Sequence, residues 1–216
     1  METKVREYTF GEELANSITH GIGALLSVAG LVVLVILAVM HGTVWHVVSC
    51  SIYGASLIAL YSASTLYHSF PQPHIKRILR IFDHASIYFL IAGTYTPFML
   101  VNLRGPWGWT LFGLIWGLAL CGVIFKIFFT GRFPKLSTVI YVLMGWLAVI
   151  AVKPMIELIP LGGLLLIAAG GIAYTSGVIF YVMHRMVYHH AVWHLFVLAG
   201  SALHFFAVLF YVIPQT

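Results

Sequence analysis

The chain has 216 residues, of which 61% are hydrophobic and only 8% are charged. Soluble domains usually carry about a quarter charged residues, so this composition excludes an ordinary soluble enzyme, a disordered chain and a nucleic-acid-binding protein. Both cysteines lie within apolar stretches, a placement that supports neither a disulfide framework nor a cysteine-based metal site.

The segment ahead of the first apolar stretch has the pattern of an amphipathic helix. Thr9 and Glu12 have the spacing of a helix capping box. Phe10, Leu14 and Ile18 fall on one face of the helix that follows it. This pattern predicts a short helix that lies along the membrane interface.

Seven apolar stretches, bounded by charged residues, proline or glycine, then predict seven transmembrane helices, since about 20 apolar residues cross the hydrocarbon core. In chain order they cover 20–41, 44–67, 81–103, 107–129, 136–152, 161–183 and 191–213. We therefore predict an all-α integral membrane protein, with a short amphipathic cytoplasmic segment over 1–19 and a single seven-helix domain over 20–216.

Basic residues are distributed unequally between the two sides of the predicted spans. The side of the N-terminus carries nine of the eleven: Lys4, Arg6, Lys76, Arg77, Arg80, Lys126, Arg132, Lys135 and Arg185. Only Arg104 and Lys153 lie on the other side. By the positive-inside rule, the N-terminus is predicted to be cytoplasmic and, with seven spans, the C-terminus to be outside.

Asp83 is the one acidic residue within a predicted span, at the start of the third. A carboxylate in a span costs about 2.5–3.5 kcal/mol at the membrane centre and less near the interface, so Asp83 needs a partner. It could lie at the level of the lipid headgroups, paired with Arg80 or solvated by water. Alternatively, it could belong to a functional site.

Histidines at helical spacing lie at the same predicted membrane depth as Asp83. Ser64 and His68 are four residues apart at the end of the second span, and His190 and His194 are four apart at the start of the seventh. Three imidazoles and a water molecule commonly surround a catalytic zinc ion. The pattern predicts a zinc site in which Asp83 orients or deprotonates the water and Ser64 hydrogen-bonds to it. The competing interpretation is that these histidines only pack at the membrane interface.

The remaining histidines have structural interpretations. His204 is about 15 Å further along the helix than His194, at 1.5 Å per residue, so it is predicted to be a buried polar contact or to line a cavity. His20 could pack beside the site or mark the interface. The others are predicted to be interfacial: His74, His84, His184 and His189 on the cytoplasmic side, and His41 and His46 outside.

Five segments resemble the bacterial haemolysin III family, which belongs with the progestin and adipoQ receptors and, more distantly, the alkaline ceramidases. They are EELANSITHGIG at 12–23, ASTLYH at 63–68, FDH at 82–84, IAGTYTPF at 91–98 and HAVWH at 190–194. The resemblance implies seven spans with the N-terminus inside. It also implies a zinc ion held by His68, His190 and His194, with Asp83 and Ser64 positioning a water molecule.

Three functional hypotheses follow. The first is an intramembrane zinc hydrolase of a lipid amide or ester, with a fatty-acyl chain between the spans. The second is a non-enzymatic sensor or regulator of membrane lipid composition or energetics, in which zinc ties the second and seventh spans together. The third is membrane lysis, as the family name suggests, and it agrees least with the short loops. In each case the expected location is the bacterial inner membrane, and the expected partner is a membrane lipid rather than nucleic acid. The oligomeric state is left open.

Overall fold

A computed structural model describes residues 8–183 and 185–214 of the chain, and these residues contain helices and no strands. The α-helices are α1 (Phe10–His41), α2 (Val44–Ser69), α3 (Pro73–Pro97), α4 (Pro106–Phe129), α5 (Pro134–Gly145), α6 (Val152–Leu158), α7 (Leu161–Val182) and α8 (His189–Tyr211). Within these ranges, seven helical segments are long and apolar enough to cross a membrane, with α5 and α6 forming one of them. The predicted all-α multi-pass architecture is confirmed. Lys4, Arg6 and His184 lie outside the described residues.

The first span begins earlier than predicted, at Phe10. The capping box is confirmed, because the Glu12 backbone N–H donates to Thr9 Oγ1 at 3.3 Å and the Thr9 N–H donates to Glu12 Oε2 at 2.9 Å. The helix then continues without a break to His41. Its first turns are therefore part of a spanning helix, not the separate short helix that the amphipathic pattern predicted. The cytoplasmic position of residues 1–19 stays a prediction.

The third span also begins earlier, at Pro73 rather than residue 81. Proline suits the first turn of a helix because its missing N–H has no partner there. Asp83 consequently lies in the third turn of α3, where it is buried. Further along, a Cβ atom on Gly93 would lie 2.2 Å from the Ser56 Oγ, so this glycine allows α3 to pack closely against α2.

The fifth span contains a break and extends beyond Lys153 and Pro154, which were predicted to end it. α5 stops at Gly145, a short 3-10 segment follows over Leu147–Ala151, and α6 continues to Leu158. The Tyr95 hydroxyl lies 2.8 Å from the Gly145 carbonyl oxygen and accepts a hydrogen bond from the Ala148 N–H at 2.9 Å. Backbone groups released by the break thus find partners inside the protein, as the hydrocarbon region requires.

Polar side chains are concentrated inside the bundle, whereas large apolar side chains cover its outside. Leu25, Met40 and Leu143 are each more than 60% exposed on the outer surface. This arrangement suits a lipid surrounding, because lipid does not exclude apolar groups as water does. The buried polar residues of α1, α2, α3 and α8 meet at the end of the bundle where α1 begins: Glu12, Asn16, His20, Ser64, His68, Asp83, His189 and His194.

Candidate metal centre

Three histidines from two helices meet at this end of the bundle. His68 lies in the last turn of α2, and His190 and His194 lie in the first two turns of α8. One ring nitrogen of each lies within 4.8 Å of the corresponding nitrogens of the other two. The structure therefore brings together the three residues that the sequence singled out as ligands, in a group that could hold a metal ion.

The orientation of His68 is set by a carboxylate of α1. Its Nδ1 lies 2.5 Å from Glu13 Oε2, and Lys76 Nζ donates to the other oxygen of that carboxylate at 2.7 Å. A carboxylate only accepts hydrogen bonds, so Nδ1 carries the hydrogen and Nε2 keeps a free lone pair. That Nε2 is buried and has no hydrogen-bond partner among the described residues. Carboxylate–histidine pairs of this kind commonly orient metal ligands.

The orientation of His194 is also set by α1. Its Nδ1 lies 3.2 Å from the Asn16 carbonyl oxygen and 3.1 Å from Thr19 Oγ1. Since a carbonyl oxygen only accepts, Nδ1 is the donor here and Nε2 is left with its lone pair. The His20 ring stacks on His194, with 3.4 Å between ring centroids and 12° between planes. His20 thus packs beside the site, the first of its two predicted positions.

The nitrogen atoms that remain fit a metal ion. His190 Nδ1, like His68 Nε2, is buried without a hydrogen-bond partner among the described residues. A buried polar atom without a partner costs about 1–3 kcal/mol, so these two nitrogens call for one. A cation bound by three imidazoles meets that requirement without adding a donor.

Asp83 and Ser64 lie in the wall of the cavity that opens beside the histidines. This cavity has a volume of about 140 Å³, and its wall includes Ser64, Asp83, His190 and His194. Ser64 is one helical turn before His68 on α2 and lies beside Asp83. No ion pair within 4.0 Å joins Asp83 to Arg80 among the described residues, although Arg80 is near enough to interact with the Asp83 carboxylate electrostatically.

A second, apolar cavity adjoins the first and has a volume of about 290 Å³. The two share wall residues from α3, α5, α7 and α8: Thr94, Tyr95, Gly145, Trp146, Gly171 and His204. His204 is thus a cavity-lining residue, as predicted. The apolar lining thus continues past the shared residues, away from the histidine cluster, to Met99 and Met155 in the wall of the second cavity.

Three histidines predicted to be interfacial lie inside the protein instead. His84 lines the first cavity, and its Nδ1 is buried. His189 is buried, with its Nδ1 3.0 Å from the Phe180 carbonyl oxygen. On the other side, His46 is buried and accepts the Thr43 backbone N–H in a helix cap. Composition and depth alone did not distinguish these positions from truly exposed ones such as His74.

The contact of Glu13 of α1 with His68 was not predicted from the sequence, although His20 of the same helix was predicted to pack beside the site or mark the interface. Glu13 was grouped with acidic residues that precede the membrane, yet it is the hydrogen-bond partner of His68. The available signal was the spacing of Glu13, Asn16 and His20, which places all three on one face of a helix. Glu13 was not assigned to the site because it was counted among the acidic residues that precede the first span.

Replacing Glu13 by glutamine is expected to weaken metal binding without removing a ligand. The amide can still accept a hydrogen bond, but it lacks the charge that raises the basicity of His68. A hydrogen bond to a metal ligand from a residue that does not itself touch the ion typically changes the metal affinity by about 10- to 100-fold. Competition with a chelator of known affinity measures the change. Glu157→Gln, at an exposed position of α6, removes the same charge and should leave the affinity unaltered. Equal affinities of the two variants would contradict the role of Glu13.

Comparison with known proteins gives matches over nearly the entire chain. The "Haemolysin-III related" family model matches residues 8–205. The chain is 54% identical over 203 residues to "Hemolysin-3" of Bacillus cereus, covering 94% of this chain and 93% of that protein. It is 53% identical over 204 residues to the "Hemolysin-3 homolog" of Bacillus subtilis, covering 94% and 96%. The human "Monocyte to macrophage differentiation factor" is 30% identical over 203 residues, covering 91% and 83%.

Proposed function

The chain belongs to the haemolysin III-related family, and from that premise we propose that it is a zinc-dependent hydrolase of lipid amides or esters. One observation carries the proposal: three imidazoles lie close enough together to hold a metal ion, and two of them, His190 and His194, line an apolar cavity that also has a carboxylate, Asp83, in its wall. A lipid substrate would place its carbonyl group at the histidines and its acyl chain in the apolar cavity.

The residues present fit zinc and the chemistry it supplies. His68, His190 and His194 would hold the ion, since imidazole nitrogens are common zinc ligands and three of them leave one position open. When bound, zinc polarises a carbonyl group and lowers the pKa of water towards about 7. Asp83 would orient the attacking water and accept its proton at the carboxylate. Ser64, beside Asp83, would donate a hydrogen bond to that carboxylate or to the substrate.

The surrounding helices support this chemistry by excluding bulk water. Ser64 and His194 are each 1% exposed, and the cavity beyond them is lined mainly by apolar side chains. Electrostatic interactions are stronger in such a site than in water. A fatty-acyl chain fits the cavity chemically because its methylene groups need no hydrogen-bond partners. We further propose the bacterial inner membrane as the location, with the site at the cytoplasmic face, on the basis of the distribution of basic residues.

The second candidate is a non-enzymatic regulator of membrane lipid composition or energetics with structural metal. It is favoured by the origin of the ligands, since His68 comes from α2 and His190 and His194 come from α8. A metal ion would tie these two helices together. In that case removal of the metal should lower the thermal stability sharply, whereas removal of Asp83 should leave the physiological effect intact.

Purified zinc-loaded protein is expected to release free fatty acid from membrane lipid extracts or from ceramide. The release should stop after treatment with a chelator and resume when zinc is restored, because Asp83 alone does not make water sufficiently nucleophilic. Mass spectrometry of the lipid products provides the measurement. Stoichiometric zinc without any fatty-acid release would overturn the hydrolase and leave the structural candidate.

A further inference from the structure

A lysine of α4 is buried inside the bundle. Lys126 is only 4% exposed. It lies on the inward face of α4, which it shares with the other buried residues of that helix: Gly108, Leu111, Ile115, Ala119 and Gly122. Its Nζ atom lies 5.8 Å from the centre of the Tyr141 ring of α5. Among the described residues, this Nζ has no hydrogen-bond partner and no ion pair within 4.0 Å. A buried charge is costly unless it is paired, so Lys126 calls for an anion.

Arg80 of α3 is a second cation in this region. It lies close enough to Lys126 for the two positive charges to repel each other. The loop that follows α4 passes beside its guanidinium group, since a Cβ atom on Gly131 would lie 3.4 Å from Arg80 Nη1. Arg80 Nε is buried and has no hydrogen-bond partner in the part of the chain that the structure describes. Nη1, Nη2 and the Lys126 Nζ are also without a partner there, but these three atoms keep accessible surface, so a ligand can reach them.

The charges around these two cations do not balance. Asp83 is near enough to attract both, yet within residues 8–183 and 185–214 it forms no ion pair within 4.0 Å with either. Other polar side chains close to the two cations are uncharged at neutral pH: Tyr67, His84, Tyr141 and Tyr181. Two positive charges and one negative charge leave an excess of one positive charge. An anion with a single negative charge would balance it.

The two cations lie where the head group of a bound lipid would be. Asp83 and Tyr141 belong to the wall of the first cavity, whereas Arg80 and Lys126 lie beside that wall and are not part of it. Arg80 precedes Asp83 by three residues on α3, about 4.5 Å along the helix axis, towards the end of the bundle where α1 begins. In a phospholipid, only a few bonds of the glycerol unit separate the phosphate from the ester carbonyl. A carbonyl beside Asp83 would therefore leave the phosphate close to Arg80.

We propose that Arg80 and Lys126 bind the phosphate of a lipid head group, so that the protein selects phospholipids over neutral lipids. This inference rests on the proposed function, because it requires the carbonyl group of the lipid to lie at the histidine cluster. A guanidinium group matches the geometry of phosphate oxygens, and lysine supplies a compact positive charge. A phosphodiester carries a single negative charge, which balances the excess positive charge. A neutral lipid such as diacylglycerol would leave the two cations without an anion.

The test compares the binding of three lipids with identical acyl chains to the purified, full-length, zinc-loaded protein in detergent micelles. The lipids are phosphatidylglycerol, phosphatidylcholine and diacylglycerol, and native mass spectrometry measures the affinity for each. Both phospholipids contain a phosphodiester, but phosphatidylcholine has no net charge. Both should bind at least about tenfold more tightly than diacylglycerol, as charge-assisted hydrogen bonds can provide. Excess inorganic phosphate should not displace them, because it has no acyl chains to occupy the cavity.

Three outcomes would overturn the proposal. Equal affinities for the three lipids would exclude a phosphate site. Tight binding of phosphatidylglycerol alone would indicate attraction to net charge and not recognition of the phosphate. Displacement of the phospholipids by inorganic phosphate would assign the site to soluble phosphate instead of a lipid head group.

Two lysine variants connect the preference to Lys126. Lys126→Met keeps the length of the side chain but removes its charge, and it should remove most of the preference for phospholipids. Lys135→Met is the matched control, because Lys135 is exposed near the start of α5, and it should preserve the preference. The ratio compares lipids on the same protein, so a general loss of stability does not change it. Equal ratios in the two variants would overturn the role of Lys126.

Fatty-acid release from the same samples distinguishes this inference from the proposed function. Preferential binding of phospholipids without any release would overturn the hydrolase and leave the phosphate site standing. Release from all three lipids with equal affinities would overturn the phosphate site and leave the hydrolase standing. Absence of binding by every lipid would overturn both.

Discussion

Replacing His190 by alanine is expected to abolish stoichiometric metal binding while the helical bundle remains folded. The variant removes one of three imidazoles whose nitrogens lie within 4.8 Å of one another. Contacts around a metal site are worth about 10- to 100-fold in affinity even when they do not touch the ion, so loss of a ligand should cost more than about 100-fold. Metal analysis of the purified protein after gel filtration measures this directly.

His74→Ala is the matched control, because His74 is exposed near the start of α3 and outside the cluster. This variant should retain the metal content of the unaltered protein. Circular dichroism of both variants would show whether the helices are intact. If His190→Ala kept a full complement of tightly bound metal, the three-histidine centre would be wrong.

Replacing Asp83 by asparagine is expected to reduce lipid hydrolysis strongly while the metal content stays unchanged. Asparagine has nearly the same shape but cannot accept a proton from water at neutral pH. General base catalysis contributes about 10²- to 10⁴-fold, and we expect a loss of rate in that range. The assay is the release of fatty acid by metal-loaded protein, with metal content measured on the same sample.

The pair of measurements separates three roles for Asp83. Loss of hydrolysis with normal metal supports a role in catalysis, whereas loss of both would indicate a ligand or a structural residue. Hydrolysis at the normal rate would exclude Asp83 as the base. Ser64→Ala, one helical turn from His68, should have a smaller effect because the hydroxyl only donates a hydrogen bond in the proposed reaction.

Much of the fold followed from the apolar stretches, because a helix must be long and apolar to cross a membrane. Length and hydropathy alone predicted seven spans, and the pairs of residues at helical spacing predicted which side chains would meet. Those pairs lie within single helices, so their faces can be derived from the sequence. Successive spans alternate in direction, and this predicted that His68 of α2 and His194 of α8 would lie at the same end of the bundle. Their rings do lie side by side there.

The features that could not be predicted depend on contacts between helices. Glu13 is charged and lies near the start of the chain, and only packing of α1 against α2 places it on His68. The break in the fifth span depends on Tyr95 of α3, whose hydroxyl satisfies the freed backbone. The closeness of Lys126 to Arg80 likewise depends on how α4 packs against α3. The periodicity of a sequence shows which residues share a face of a helix. It does not show which other helix that face packs against.

The residues of the candidate metal centre come from different helices, and this bears on how the protein is assembled. α2 and α8 supply the candidate ligands, while Glu13 and Asn16 of α1 contact His68 and His194, and α8 lies far along the chain from α1 and α2. A metal ion would therefore find a complete set of ligands only after widely separated helices have been inserted and assembled. In zinc fingers the ion drives folding of an otherwise unfolded chain. Here, if the site binds a metal ion, lipid-embedded helices would have to assemble first, and loading of the ion would be a late step that metal supply could control.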